Sequence, residues 1–103
     1  ANPVEHLLAA LAGCLTTTLV YFAAAEEVKL NEVTSKIEAD ASLLGIFGID
    51  ENVRMGCEQI RVTFDIKADA PREKIEELFQ LAQAKSGVFD MLTNGVPVAV
   101  ELA

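Results

Sequence analysis

The chain has 103 residues, with 16 acidic against 8 basic side chains and a net charge of −8 at pH 7; a chain of this size suits one hydrophobic core, so residues 1–103 are read as a single domain. The negative balance repels a phosphate backbone and leaves no basic groove, which argues against nucleic acid and anionic membrane surfaces as partners. Two cysteines and one histidine make neither a disulfide scaffold nor a zinc spacing, so no metal or cofactor is expected and a reducing, cytoplasmic setting is the default.

The first element is a helix. Asn2 suits the N-cap, Pro3 the first helical position, and Glu5, three residues after Asn2, completes a capping box. Leu7 to Ala25 run for 19 residues without a charge, about the length of a bilayer span. No basic segment precedes them, so they do not read as a signal peptide. Their Ala and Thr content, including Thr16, Thr17 and Thr18, makes insertion into lipid weak. A helix apolar all round is then expected to be covered by protein on all sides. So short a chain has little material to wrap it, which implies self-association. The helix is expected to end near Glu26-Glu27.

Val33, Ser35, Ile37 and Ala39 then alternate with Thr34, Lys36, Glu38 and Asp40, the pattern of a half-buried strand. Leu43 to Gly56 reads as a loop with glycines at 45, 48 and 56. Its Leu43, Leu44, Ile46, Phe47 and Ile49 are too apolar for a solvated connection, so it is expected to fold back on the core or meet a partner. Gln59 to Ala68 is the cleanest strand, with Ile60, Val62, Phe64 and Ile66 against Arg61, Thr63, Asp65 and Lys67. Pro71 to Lys85 forms a second helix on the stripe Ile75, Leu78, Phe79, Ala82, with Gly87 as its stop. Asp90 is read as capping the turn Thr93-Asn94-Gly95 into a last strand carrying Val96, Val98, Val100 and Leu102. The order helix, strand, strand, helix, strand is an α+β class.

Cys14 lies in the middle of the apolar helix, where a thiol is either inert packing or a sheltered reactive group. An apolar surround disfavours the thiolate, so a reactive Cys14 needs a cation or strong donors beside the sulfur. Leu7, Ala10, Leu11, Thr17 and Thr18 share its face. Glu5, nine residues away, is turned through about 900 degrees and so lies on the opposite side, which favours capping over catalysis. His6 lies about 80 degrees round the helix from Cys14 and reads as an interface or surface residue. Arg54, in the glycine-bounded loop, is placed to turn inward toward a partner's thiol, but it reads first, like Arg61 and Arg72, as a solvated charge. Cys57, just before the central strand, reads as packing, with a redox partnership to Cys14 as the alternative.

The helix Asn2-Pro3-Val4-Glu5-His6-Leu7-Leu8-Ala9-Ala10-Leu11-Ala12-Gly13-Cys14, the loop Gly45-Ile46-Phe47-Gly48-Ile49-Asp50 leading to Gly56, and Ser86-Gly87-Val88-Phe89-Asp90 to Val98 together resemble the OsmC/Ohr family. The resemblance covers nearly the whole chain. It implies two central helices packed on antiparallel β-sheet in an intertwined homodimer, and thiol-dependent reduction of organic hydroperoxides in the oxidative-stress response. Cys14 matches the family's peroxidatic cysteine. Ser86 stands where the family's second cysteine falls, in Ser-Gly-Val rather than Cys-Pro-Val, and a hydroxyl cannot resolve a sulfenic acid into a disulfide. A glutamate follows the family's Asn-Pro pair directly; Val4 holds that place here, with Glu5 next. Family members usually carry an N-terminal hairpin with an active-site arginine ahead of this helix, and this sequence starts at the helix itself, so either it is a fragment or that arginine is absent.

Three functions are compatible with this reading. The first is a peroxidase that uses Cys14 with an external thiol reductant. The second is a non-catalytic homodimer that binds an apolar small molecule at its interface. The third is a structural dimer in which Cys14 is a small core residue.

Overall fold

The computed structural model describes residues 2–103. In chain order it holds helix α1 (Pro3–Ala25), strand β1 (Leu30–Ala41), the short helix α2 (Leu43–Ile46), strand β2 (Cys57–Ala68), helix α3 (Arg72–Lys85) and helix α4 (Gly87–Asn94). β1 and β2 form a two-stranded antiparallel sheet, so the class is α+β. Two compact units divide the chain, one of Ala1–Val33 with Ile66–Ala103 and one of Thr34–Asp65.

In the first unit α1 begins as its sequence directs. The Asn2 side chain accepts the Glu5 amide at 2.9 Å and the Glu5 carboxylate accepts the Asn2 amide at 3.4 Å, so both halves of the capping box form. Leu11, Leu15, Leu19 and Ala23 recur every fourth residue, and all are buried; that spacing stacks them on one face. Leu78 and Ala82 of α3, likewise one turn apart, close on Leu19 and Ala23, with Phe22, Val28, Leu30, Val33 and Ile66 around them. Much of α1 is open: Val4 and Leu7 on its first two turns, and Val20 and Tyr21 on its other side, are exposed. Full coverage, expected from composition, is therefore not reached within one chain.

The end of α1 is held by two bonds of a Schellman motif: the Val28 amide donates to Ala23 O at 2.8 Å and the Glu27 amide to Ala24 O at 3.1 Å. This closure puts Glu27 at φ 57°, a conformation that suits glycine and strains a residue with a Cβ. Lys74 of α3 pairs with Glu26 just beyond the helix.

In the second unit Arg61 clasps Asp40 across the strands through two bonds of 2.8 and 3.1 Å. β2 alternates as its sequence predicts, with Ile60, Val62, Phe64 and Ile66 half-buried and Thr63, Asp65 and Lys67 exposed. Ser42 caps α2. A Cβ at Gly45 would lie 1.8 Å from the Arg54 carbonyl oxygen, so only glycine lets the loop close there. Leu43, Leu44, Ile46, Phe47, Ile49 and Met55 are exposed.

The C-terminal third departs from expectation. Gly87 does not stop a helix but opens α4, whose actual stop is Gly95 at φ 76°. Asp90 does not cap a turn into a strand; it lies in α4 and accepts Asn94 Nδ2 at 2.7 Å. Residues 95–103 form no strand, and Val96, Val98, Val100 and Leu102 are exposed. Alternation selects a strand only where a neighbouring strand offers pairing, and among the described residues of the chain the sheet holds β1 and β2 alone.

Two substitutions probe this packing. Leu78→Ala, which empties a site that is 1% exposed, is expected to lower unfolding free energy by about 3 kcal/mol in urea denaturation. Glu27→Gly relieves the left-handed residue and is expected to raise it by about 1 kcal/mol in the same assay; a loss on this substitution would refute the strain.

Candidate functional site

Cys14 sits on α1 between the buried Ala12 and Leu15 and is itself half-buried. The α3–α4 junction lies beside it. Ser86 is at once the C-cap of α3 and the N-cap of α4, extended at φ −78° and ψ 119°. One non-helical residue thus separates two helices, and its chemistry explains the break. Serine favours the N-cap because its oxygen satisfies an amide that the new helix leaves without a partner; here Ser86 Oγ accepts the Phe89 amide at 3.3 Å.

With its lone pair so engaged, the Ser86 hydroxyl donates its proton to Cys14 Sγ at 3.1 Å. Its backbone is fixed on both sides, the amide donating to Gln83 O at 3.4 Å and the carbonyl accepting the Asp90 amide at 3.0 Å. The residue is 1% exposed, and this serine is the one buried polar side chain among the described residues.

The Cys14 thiol is held below its ordinary pKa. The Ser86 hydroxyl lowers it most, then the Val88 amide; burial opposes them, and the Gly87 amide and the Thr18 hydroxyl add smaller lowering effects. The Thr18 proton points at the Cys14 carbonyl, 2.7 Å away, so Ser86 and the two amides carry the effect. Those amides open α4, where the helix dipole favours an anion. The donors that the sequence required are therefore neutral. They are a serine hydroxyl and the start of a helix.

Glu5 and His6 lie away from the sulfur. Glu5 completes the cap of α1, and the unbroken helix sets it nine residues from Cys14, about 13 Å along the axis on the far side. His6 is exposed on the first turn. Arg54 and Cys57 belong to the Thr34–Asp65 unit, Arg54 exposed in the loop and Cys57 half-buried at the start of β2. Both cysteines are free thiols. Ser86, singled out by position, proves to touch the sulfur. The Gly87 and Val88 amides escape sequence reasoning, although a signal for them exists: Ser86 followed by Val88, Phe89, Met91 and Leu92 is an N-cap before an amphipathic turn. No group of three His, Cys, Asp or Glu residues suited to a metal occurs among the described residues.

Comparison with known proteins gives a consistent family. The chain matches the family described as OsmC-like protein over residues 1–101. Among solved structures it is similar to an OsmC-like protein from Mycoplasma pneumoniae, with a TM-score of 0.78 and 18% identity, over 89% of this chain and 62% of that one. The chain thus spans less than two thirds of that relative, and the likeness is one of fold. No curated protein matches it.

Alkylation of Cys14 by iodoacetamide, followed by peptide mass so that Cys57 is counted separately, is expected to rise with pH as the thiolate forms. Its midpoint should lie below the usual thiol value of about 8.5. Ser86→Ala removes the leading donor and should move the midpoint upward; an unmoved midpoint would show that the hydroxyl does not act on the sulfur.

Proposed function

Because the chain belongs to the OsmC-like protein family, we propose that it reduces organic hydroperoxides through Cys14, using an external thiol, as a cytoplasmic homodimer of the oxidative-stress response built from one OsmC-like domain. The observation that carries this reading is the hydrogen bond from Ser86 Oγ to Cys14 Sγ at 3.1 Å, set at the start of α4. A peroxidatic cysteine must be a thiolate, and a sulfur that accepts a hydroxyl beside two helix-start amides is favoured in that form.

The thiolate attacks the distal oxygen of HO–OR. The S–O bond forms as the O–O bond breaks, and the alkoxide leaves and takes a proton from solvent. Cys14 is left as a sulfenic acid. A thiol then attacks its sulfur to give a mixed disulfide and water, and a second thiol releases Cys14 as it forms the external disulfide. Ser86 takes no electrons, so both reducing equivalents come from outside.

Self-association is supported by the uncovered parts of α1, where Val4, Leu7, Val20 and Tyr21 are exposed, and by Met91 and Leu92 on α4. A second copy against these residues supplies the cover that one chain lacks. An apolar surface near Cys14 also favours an alkyl or aryl hydroperoxide over hydrogen peroxide.

Intact-mass spectrometry after stoichiometric cumene hydroperoxide, or hydrogen peroxide in parallel, tests the reading with Cys14→Ser as control. Wild type is expected to gain one oxygen at Cys14 within seconds, at least about tenfold faster with the organic peroxide, a difference of ~1.4 kcal/mol in barrier. If Cys14 stays unmodified while an added free thiol oxidises, the peroxidase reading fails and an apolar-ligand or structural dimer takes its place.

A further inference from the structure

We propose that Ser86 is a positioning residue for the oxidised state: it holds the Cys14 sulfenate and protects it from a second peroxide until an external thiol arrives. The inference rests on the peroxidase reading and deepens it, since it concerns the fate of the same sulfur once it has been oxidised.

Three observations converge on it. Ser86 is buried and is held by its own amide, its carbonyl and the Phe89 amide, so its hydroxyl cannot swing away when the sulfur changes. Ser86 Oγ accepts the Phe89 amide and donates its proton to Cys14 Sγ, 3.1 Å away. The Gly87 and Val88 amides act on the same sulfur.

Oxidation adds one oxygen to that sulfur, within reach of the same donors. The sulfenate oxygen bears the negative charge, and donors beside it withdraw electron density from the sulfur. Attack of that sulfur on another hydroperoxide, which would break a second O–O bond and yield the sulfinic acid, is thereby slowed. The external thiol reacts in the opposite sense, as a nucleophile at the sulfenyl sulfur, and donor bonds to the oxygen assist its departure as water. Where a cysteine at position 86 would close a disulfide, the serine supports a waiting state.

The test uses hydrogen peroxide in graded excess on wild type, Ser86→Ala and Ser86→Gly, reading one-oxygen and two-oxygen forms by intact mass and locating them by peptide mapping. Excess hydrogen peroxide oxidises the thiol whatever its preference for organic substrates, so failure of that preference is seen separately. Wild type should accumulate the one-oxygen form, trapped by dimedone. Both variants should reach the two-oxygen form at about tenfold less peroxide, the scale of one hydrogen bond to a charged group. Glycine keeps most of the N-cap preference that alanine loses, so equal shifts assign the effect to the hydroxyl, and a shift in alanine alone assigns it to capping and overturns the inference. No shift, or a wild type without a one-oxygen form, overturns it as well. Ser86→Cys should lose two hydrogens with one equivalent of peroxide and resist further oxidation; failure to form that bridge would show that the side chain at 86 does not face the sulfur.

Discussion

Covering one face of a long apolar helix is the constraint on which the rest of the first unit depends. Leu11, Leu15, Leu19 and Ala23 have no charged neighbour on α1 to screen them, and their burial is the main favourable term available to so small a chain. α3 answers with Leu78 and Ala82, and the Schellman turn at Glu27 brings Val28 back onto the same cluster. The strained Glu27 conformation is tolerated because it returns the chain to that surface.

The break at Ser86 arises from the same demand. A single straight helix from Arg72 to Asn94 would present one stripe; two helices split at Ser86 let α4 also turn toward α1. Every such split leaves amides without carbonyl partners at the new helix start. Ser86 satisfies one of them, and others fall beside Cys14. Packing and chemistry therefore have one origin, since the interruption that improves coverage of α1 also creates the donor set around its thiol.

Much of this architecture is legible in the sequence. The Asn2–Glu5 cap, the alternation of β2 and the Leu78–Ala82 stripe are local signals that the fold respects. α4 is harder to read, because Gly87 resembles a stop although the stronger signal, Ser86 before an apolar turn, precedes it. The tail misleads in the opposite direction: Val96 to Leu102 alternate like a strand, but pairing is a property of neighbours and not of the segment. At the site, Cys14 and Ser86 can be named because their side chains are distinctive. The Gly87 and Val88 amides cannot, because every residue other than proline carries one and only the position of a helix start makes it special.

The three consecutive threonines of α1 change how that helix meets its surroundings. Thr16 returns its hydroxyl to Ala12 O at 2.7 Å, while Thr17 and Thr18 return theirs to Cys14 O at 3.2 and 2.7 Å. Each hydroxyl is satisfied by its own helix, so what each side chain has left to offer a neighbour is its methyl group. A hydropathy scale counts these residues as polar, yet they can pass from water into an oily contact without stranding a donor. This stretch of α1 is in that sense indifferent to its medium, and its surface chemistry is closer to that of valine than its letters suggest.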